Sequence, residues 1–376
     1  MQLKTKGLGH LIEQPIVAPV TRDVHAVAGK ILLAGSQLLE GFDLSECRAV
    51  LFNATKDNAV DFPSVYSVAS FDHLSENDIV AVHSDGAINT LYRINSVHNF
   101  LLFTERCNSN CLMCSQPPKN RNDIEYLFQL YRELIPFIPK DCFELGITGG
   151  EPTLMGNYFF QLLQQLQQEL PDTELHCLTN GRTFAWPNIA RRLGEMQLHR
   201  LMLGIPLYSD YYQQHDYIVQ AKDAFNQTIQ GLYNLATYNQ RIEIRIVLHQ
   251  QTIPRLVKLA KFIYKNLPFV EHIAFMGLEY QGYTPHNIDK LWVDPVKYMD
   301  QLGEAVHYLS DQGMSVSIYN AQLCLLPADL WQFNRKSISD WKNIYLDECS
   351  CCAKRNECGG LFASGEKKHS MYLKAF

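Results

Sequence analysis

The chain contains 376 residues, of which 47% are hydrophobic, and carries a formal net charge of −6. Its length is sufficient for roughly two to three domains, and the absence of a basic bias argues against a nucleic-acid partner. No long apolar run follows the N-terminal residues, so the sequence predicts neither a secretory signal nor a transmembrane helix, and we expect a cytoplasmic protein with no membrane partner.

Residues 1–97 alternate short apolar stretches with polar turns. The tripeptide Ser84-Asp85-Gly86 lies between two alternating runs and predicts a hairpin turn. We therefore expect a small, β-rich N-terminal domain, for which the sequence indicates no function.

Beyond residue 97, strand-like runs alternate with segments of helical periodicity. The predicted strands are Phe100–Phe103, Phe143–Thr148, Glu174–Leu178, Arg200–Ile205, Glu243–Leu248 and His272–Met276. The predicted helices are Ile124–Ile138, Tyr158–Leu170, Asn188–Met196, Ala221–Tyr238, Pro254–Leu267 and Val296–Gln312. This alternation predicts an α/β fold with a parallel sheet, either open or closed into a partial barrel. We assign residues 98–320 to this core and residues 321–376 to a cysteine-rich C-terminal extension.

Reactive groups in such folds gather in the loops that follow the C-terminal ends of the strands. Four segments follow successive predicted strands: a loop with three cysteines, then Gly149-Gly150-Glu151-Pro152, Thr179-Asn180-Gly181 and Pro206-Leu207-Tyr208-Ser209. We expect these segments to lie at one mouth of the sheet.

The three-cysteine loop contains Cys107, Cys111 and Cys114, a C-x3-C-x2-C spacing with no fourth cysteine nearby. Thiolates suit both iron–sulfur clusters and zinc, so residue type alone does not choose the metal. Structural zinc sites usually combine two close pairs, whereas three cysteines in one loop suit an iron–sulfur cubane with one iron left open. Zinc and unliganded thiols remain the alternatives.

Cys107, Cys111 and Cys114, followed one βα unit later by the glycine-rich segment 149–152, resemble the motifs of the radical S-adenosylmethionine (SAM) superfamily. The resemblance implies a partial (β/α)6 TIM-type barrel and a [4Fe-4S] cluster whose open iron binds SAM. It also implies that Gly149, Gly150 and Glu151 contact the methionine amino group. A tight strand-to-helix turn is the alternative explanation of the two glycines.

Four further residues are candidates for cofactor contacts. Met113 stands where many members of the superfamily have an aromatic residue near the adenine, and Asn180 and Ser209 are candidates for hydrogen bonds to the ribose or carboxylate. Arg245 alternates with apolar neighbours on the fifth predicted strand. A charged side chain inside a barrel needs a partner, which is either the cofactor or an internal salt bridge.

The C-terminal extension contains a second group, Cys349, Cys352 and Cys358, and Cys324 upstream completes a set of four thiols. This set resembles the SPASM and twitch extensions of radical enzymes that modify peptides, which implies a second iron–sulfur cluster. A structural zinc ribbon is the main alternative. Either Cys351 or Cys352 is available as a ligand, and the spacing favours Cys352.

Three segments resemble the C-type radical SAM maturase of His-Xaa-Ser systems, namely 104–108, 111–118 and 337–343. This resemblance implies a peptide or protein substrate with His-Xaa-Ser repeats, a sister radical SAM maturase and an electron donor of the flavodoxin or ferredoxin type. It does not indicate the bond that changes, and we assign no catalytic residue beyond the cluster. The alternatives are the same chemistry on a nucleoside, tRNA or small metabolite, and a zinc-stabilised adaptor without catalysis.

Overall fold

The structure is a computed structural model that describes residues 2–35, 43–55, 60–337 and 342–376. Residues 338–341, which belong to one segment of the family resemblance, lie outside the described residues. The chain divides into two compact units. One contains residues 1–101, 123–145 and 161–173, and the other contains residues 102–122, 146–160 and 174–376.

The N-terminal part of the first unit is built on a mixed sheet. Its strands are β1 (Lys4–Lys6), β2 (Leu8–His10), β3 (Ile16–Thr21), β4 (Ile31–Gly35), β5 (Ala49–Phe52), β6 (Ser64–Tyr66), β7 (Ile79–Val82) and β8 (Ala87–Tyr92). The strand order is β1-β8-β7-β3-β4-β5-β6-β2. Strands β3 to β6 pair in parallel, and the remaining pairs are antiparallel.

The predicted hairpin is confirmed, because β7 and β8 pair antiparallel across the turn that contains Gly86. Gly86 has a φ of +78°, a conformation that glycine adopts without a steric penalty. Side chains of Val20, Ile31, Leu51 and Val82 form part of the buried core of this sheet. The N-terminal region is therefore β-rich, as the sequence predicts.

A second sheet has its strands in chain order. They are β9 (Asn99–Leu102), β10 (Glu144–Thr148), β11 (Glu174–Leu178), β12 (Leu201–Pro206), β13 (Arg241–Leu248), β14 (His272–Gly277), β15 (Val316–Tyr319) and β16 (Asn334–Arg335). The pairs from β11 to β16 are parallel. The six predicted core strands are confirmed, with ends that differ by at most two residues.

The helices connect these strands. They are α1 (Ile124–Leu134), α2 (Asn157–Glu169), α3 (Pro187–Glu195), α4 (Tyr212–Val219), α5 (Ala224–Thr237), α6 (Leu256–Asn266), α7 (Ile288–Leu291) and α8 (Met299–Asp311). A short pair, β17 (Asn343–Ile344) and β18 (Leu361–Phe362), lies in the C-terminal extension. The fold is thus α/β with a parallel sheet, consistent with a partial TIM-type barrel.

Helix α6 illustrates how the sequence specifies the outer layer. Leu256, Leu259, Ala260 and Ile263 are fully buried and follow the i, i+3, i+4, i+7 spacing of one helix face. Burial of this apolar stripe holds the helix in place. Among the described helices, none is both long and apolar enough to cross a membrane.

Candidate active site

The three-cysteine loop begins directly after β9 and is fixed by backbone hydrogen bonds. Within it, the Cys114 amide donates to the Cys111 carbonyl at 3.1 Å. The amides of Asn110 and Leu112 donate at 3.0 and 2.9 Å to the carbonyls of Val219 and Ile218, respectively, at the C-terminal end of α4. Helix α4, which the sequence analysis does not predict, therefore anchors the loop.

The three thiols lie in a partly buried environment that suits a cationic group. Burial raises the pKa of Cys107 to about 11 and also raises the pKa values of Cys111 and Cys114. The charges of neighbouring thiolates raise the pKa values of Cys107 and Cys111 further. Iron would offset this repulsion, because metal binding requires and stabilises thiolates. The donor set therefore fits an iron–sulfur cluster.

A [4Fe-4S] cluster is held by cysteine thiolates, and each of them bonds to its own iron atom. Within the described ranges, no group of three or more His, Cys, Asp or Glu side chains is placed to hold one metal ion.

The glycine-rich segment lies directly against the backbone that precedes Cys107. The Gly150 amide donates to the Thr104 carbonyl, and the Glu151 amide to the Arg106 carbonyl, both at 2.8 Å. A Cβ atom on Gly149 would overlap the Thr104 oxygen, and one on Gly150 would overlap the Arg106 oxygen. Both glycines are thus required for the close approach of two protein segments, and their contact with SAM stays a prediction.

We expect the G150A variant to lose stability and cluster content. The added methyl group would force Gly150 away from the Arg106 carbonyl, and overpacking of this kind typically costs about 1–3 kcal/mol. Urea unfolding and the iron content after anaerobic reconstitution measure the effect. G303A is the matched control, because a Cβ at this position in α8 would have Leu330 as its nearest neighbour, at 3.9 Å. Equal stability and iron content in the two variants would contradict the role of Gly150.

The Glu151 side chain is fully buried and is a centre of hydrogen bonding. Its carboxylate accepts from the Thr153 amide at 3.1 Å, the Thr153 hydroxyl at 2.6 Å, the Thr179 hydroxyl at 2.7 Å and the Asn180 amide at 2.6 Å. Burial raises the pKa of Glu151, and these donors oppose the rise. Glu151 therefore ties the loop after β10 to the loop after β11, and its predicted role as a SAM acceptor stays a prediction.

Asn180 lies next to the three-cysteine loop. Its side-chain amide donates to Asn108 Oδ1 at 2.5 Å and lies 4.0 Å from Cys107 Sγ. The structure thus brings Asn180, Glu151 and Cys107 together, as expected for loops at the same end of parallel strands.

Arg182 is a residue that the sequence analysis did not select. Its exposed fraction is 9%, and its guanidinium donates to the Asn108 carbonyl, to Ser109 Oγ at 3.0 Å and to Gln227 Oε1 at 2.8 Å. Its charge also lowers the pKa values of Cys107 and Cys111, against the larger effect of burial. The sequence signal that could have identified Arg182 was its charge at the position directly after the Thr179–Gly181 segment.

Met113 and Ser209 are both buried. Met113 packs in an apolar cluster with Leu112, Tyr208 and Ile218, against which Val247 and other residues are packed. The Ser209 hydroxyl accepts a hydrogen bond from the Tyr211 amide at 3.1 Å, within its own loop. Their contacts with SAM stay predictions.

Arg245 forms the internal salt bridge that the sequence analysis left open. Its guanidinium lies 2.6 Å from Glu243 Oε1 and donates to the Met276 sulfur at 3.1 Å. Glu243 also contacts His272 Nδ1 at 2.7 Å. Burial alone would raise the pKa of Glu243, but its hydrogen-bond partners and the Arg245 charge hold it well below its usual range. A cofactor contact of Arg245 stays a prediction.

The second cysteine group lies around one small cavity. Cys324, Cys349, Cys352 and Cys358 line this cavity, whereas Cys351 is exposed and does not. The Cys358 sulfur accepts from the amides of Leu323 and Gly360, both at 3.4 Å. The arrangement supports Cys352 over Cys351 as the fourth member. Four thiols are the ligand number of an iron–sulfur cluster, whereas within the described residues they are not placed around a single metal ion.

The family model of the radical SAM superfamily matches residues 101–263, from β9 into α6. This match supports the resemblance to the radical SAM superfamily that the cysteine and glycine motifs indicate. It covers less than half of the 376 residues and contains both the three-cysteine loop and the glycine-rich segment. For the segment that matches the model, the superfamily implies a [4Fe-4S] cluster and SAM.

Three known proteins share similarity with the chain. An uncharacterized protein of Methanocaldococcus jannaschii is 25% identical over 176 residues, which cover 44% of this chain and 58% of that protein. The chain therefore spans less than two thirds of this curated relative. The structure of Streptococcus suis SuiB bound to S-adenosylmethionine aligns with this chain at 14% sequence identity and a TM-score of 0.46. The alignment covers 60% of this chain and 51% of the SuiB chain. Coproporphyrinogen III oxidase (HemN) from Escherichia coli, a radical SAM enzyme, is 14% identical, with coverages of 57% and 53% and a TM-score of 0.43.

Proposed function

We propose that this chain is a radical SAM enzyme that modifies a ribosomally made peptide or protein. The observation that carries the proposal is the pairing of Gly150 and Glu151 with the backbone just before Cys107. This pairing joins the two motifs of the superfamily in one site, inside the segment that matches the family model.

Cys107, Cys111 and Cys114 would hold the [4Fe-4S] cluster in this proposal. With one electron from a flavodoxin- or ferredoxin-type donor, the bound cluster would supply reductive cleavage of SAM to methionine and a 5′-deoxyadenosyl radical that removes a hydrogen atom from the substrate. The protein binds and orients these groups and excludes water from them. Asn180 and Arg182 hold the three-cysteine loop through Asn108 and Ser109.

The proposed SAM site includes Gly149, Gly150 and Glu151 for the methionine group and Met113 beside the adenine. Asn180, Ser209 and Arg245 are the proposed partners of the ribose and carboxylate. The salt bridge to Glu243 already restricts the Arg245 side chain. Less conformational entropy of this side chain would therefore be lost when SAM binds.

The peptide substrate is proposed from the resemblance to His-Xaa-Ser maturases and from the second cysteine group. Four thiols around one cavity suit a second cluster, which in this proposal assists substrate handling. A protein with His-Xaa-Ser repeats, a sister radical SAM maturase and a flavodoxin or ferredoxin are the proposed partners.

Coexpression with a His-Xaa-Ser repeat protein, with and without the sister enzyme, tests the substrate. We expect a mass change in the repeat protein, and deuterium transfer into 5′-deoxyadenosine when the repeat protein is deuterated. The C107A variant is the control and should give neither signal. Deuterium transfer from a nucleoside or metabolite, with an unmodified repeat protein, would contradict the peptide assignment.

A further inference from the structure

We propose that residues 374–376 form one wall of the four-thiol site and supply backbone amides to two of its sulfurs. This inference rests on the proposed second metal site. It concerns the binding of an iron–sulfur cluster at Cys324, Cys349, Cys352 and Cys358.

The first support is the position of this wall beside the thiols. Lys374 and Phe376 line the same cavity as the four cysteines. The Phe376 amide donates to Cys352 Sγ at 3.5 Å, and Lys374 lines the cavity together with Cys324. Cys352 therefore has an amide donor from residues 374–376, and the Lys374 amide is the proposed donor to Cys324.

The second support is that this wall is held in place from outside the cavity. The Phe376 carbonyl accepts from the Ala353 amide at 3.2 Å. The Phe376 ring packs edge-on against Trp331, with 5.3 Å between the ring centroids. Lys354 lies 5.8 Å from the centre of the Trp331 ring on the same side of the site.

The third support is the chemistry of the donors. Amide hydrogen bonds stabilise the negative charge of a metal-bound thiolate, and outer contacts of this kind commonly change metal affinity. Cys358 likewise has amide donors within the extension, since it receives the Leu323 and Gly360 amides. Lys354, Arg355 and Lys374 also line the cavity and add positive charge beside the thiols. The site is therefore built to hold a group of thiolates.

The test compares F376P with F376A in the 376-residue chain. Proline has no backbone N–H, so F376P removes both the donor to Cys352 and the ring, whereas F376A removes the ring alone. A background in which Cys107, Cys111 and Cys114 are alanine leaves the four-thiol site as the loaded site. The measurement is the rate of metal loss to a chelator after anaerobic reconstitution with iron and sulfide.

We expect the F376P variant to lose metal about tenfold faster than F376A, the lower end of the usual effect of an outer contact. K374P and K374A form a second, independent pair that tests the donor to Cys324. Circular dichroism checks the folding of each variant. If the proline variant of one pair is unfolded, the comparison uses the other pair. Equal rates within a folded pair, or no metal bound in the background variant, would overturn the proposal. Failure of SAM cleavage by the wild-type chain would instead overturn the proposed function and leave this result standing.

Discussion

Replacement of Cys107, Cys111 or Cys114 by alanine is expected to reduce 5′-deoxyadenosine formation to background. Each substitution removes one of three thiolates that would hold the cluster, and no fourth cysteine lies in that loop to replace it. Because SAM binds to the iron left open, a lost or rearranged cluster also removes the cofactor site. The measurement is chromatography of the reaction products after reduction by dithionite.

The C351A variant is the matched control, because Cys351 is exposed and does not line the four-thiol cavity. We expect it to cleave SAM at the wild-type rate. C324A and C358A should also retain cleavage in the absence of peptide, but should impair peptide modification or folding. Normal cleavage by any of the Cys107, Cys111 or Cys114 variants would show that the cluster is held elsewhere.

Replacement of Arg182 by methionine is expected to give the second largest loss, about 10- to 100-fold in SAM cleavage or cluster affinity. The guanidinium donates to the Asn108 carbonyl and to Ser109 Oγ, and methionine offers no donor to either. Loss of these bonds would free the backbone between Cys107 and Cys111. The measurements are the iron content and the rate of 5′-deoxyadenosine formation.

Arg191 provides the control for this substitution. Its side chain is 62% exposed and pairs with Glu195 at 3.7 Å, one turn away on α3. The R191M variant should therefore retain cluster and activity, since exposed ion pairs contribute little. If R182M matched R191M in iron content and cleavage rate, Arg182 would have no role in holding the loop.

The core strands were predictable because the apolar pattern that specifies each strand lies within one short segment of the sequence. Alternating or continuous apolar residues mark a strand within five to eight positions, and the carboxyl ends of parallel strands meet at one edge. Helix α4 was missed because its residues, Tyr212–Val219, are mainly polar or aromatic and give no clear apolar face. Its buried residues include His215, a type that hydrophobic periodicity does not count.

The remaining site features depend on contacts between distant parts of the chain. Arg182 bonds to residues that precede it by more than 70 positions, so no local pattern distinguishes it from a surface arginine. The contact of Gly149 and Gly150 with SAM stays a prediction, whereas the close approach of these glycines to the Thr104–Arg106 backbone is visible only in the structure. The spacing of the cysteines favoured Cys352 over Cys351. The cavity is lined by Cys352 and not by Cys351, which favours the same residue and depends on contacts between distant parts of the chain.

The central claim is that the three-cysteine loop holds a cluster that cleaves SAM. The most direct measurement is anaerobic reconstitution of the wild-type chain, followed by quantification of iron, acid-labile sulfide and 5′-deoxyadenosine after addition of SAM and dithionite. We predict bound iron and sulfide, together with 5′-deoxyadenosine formation that requires both SAM and reductant. Stoichiometric zinc without labile sulfide, and no 5′-deoxyadenosine, would contradict the account.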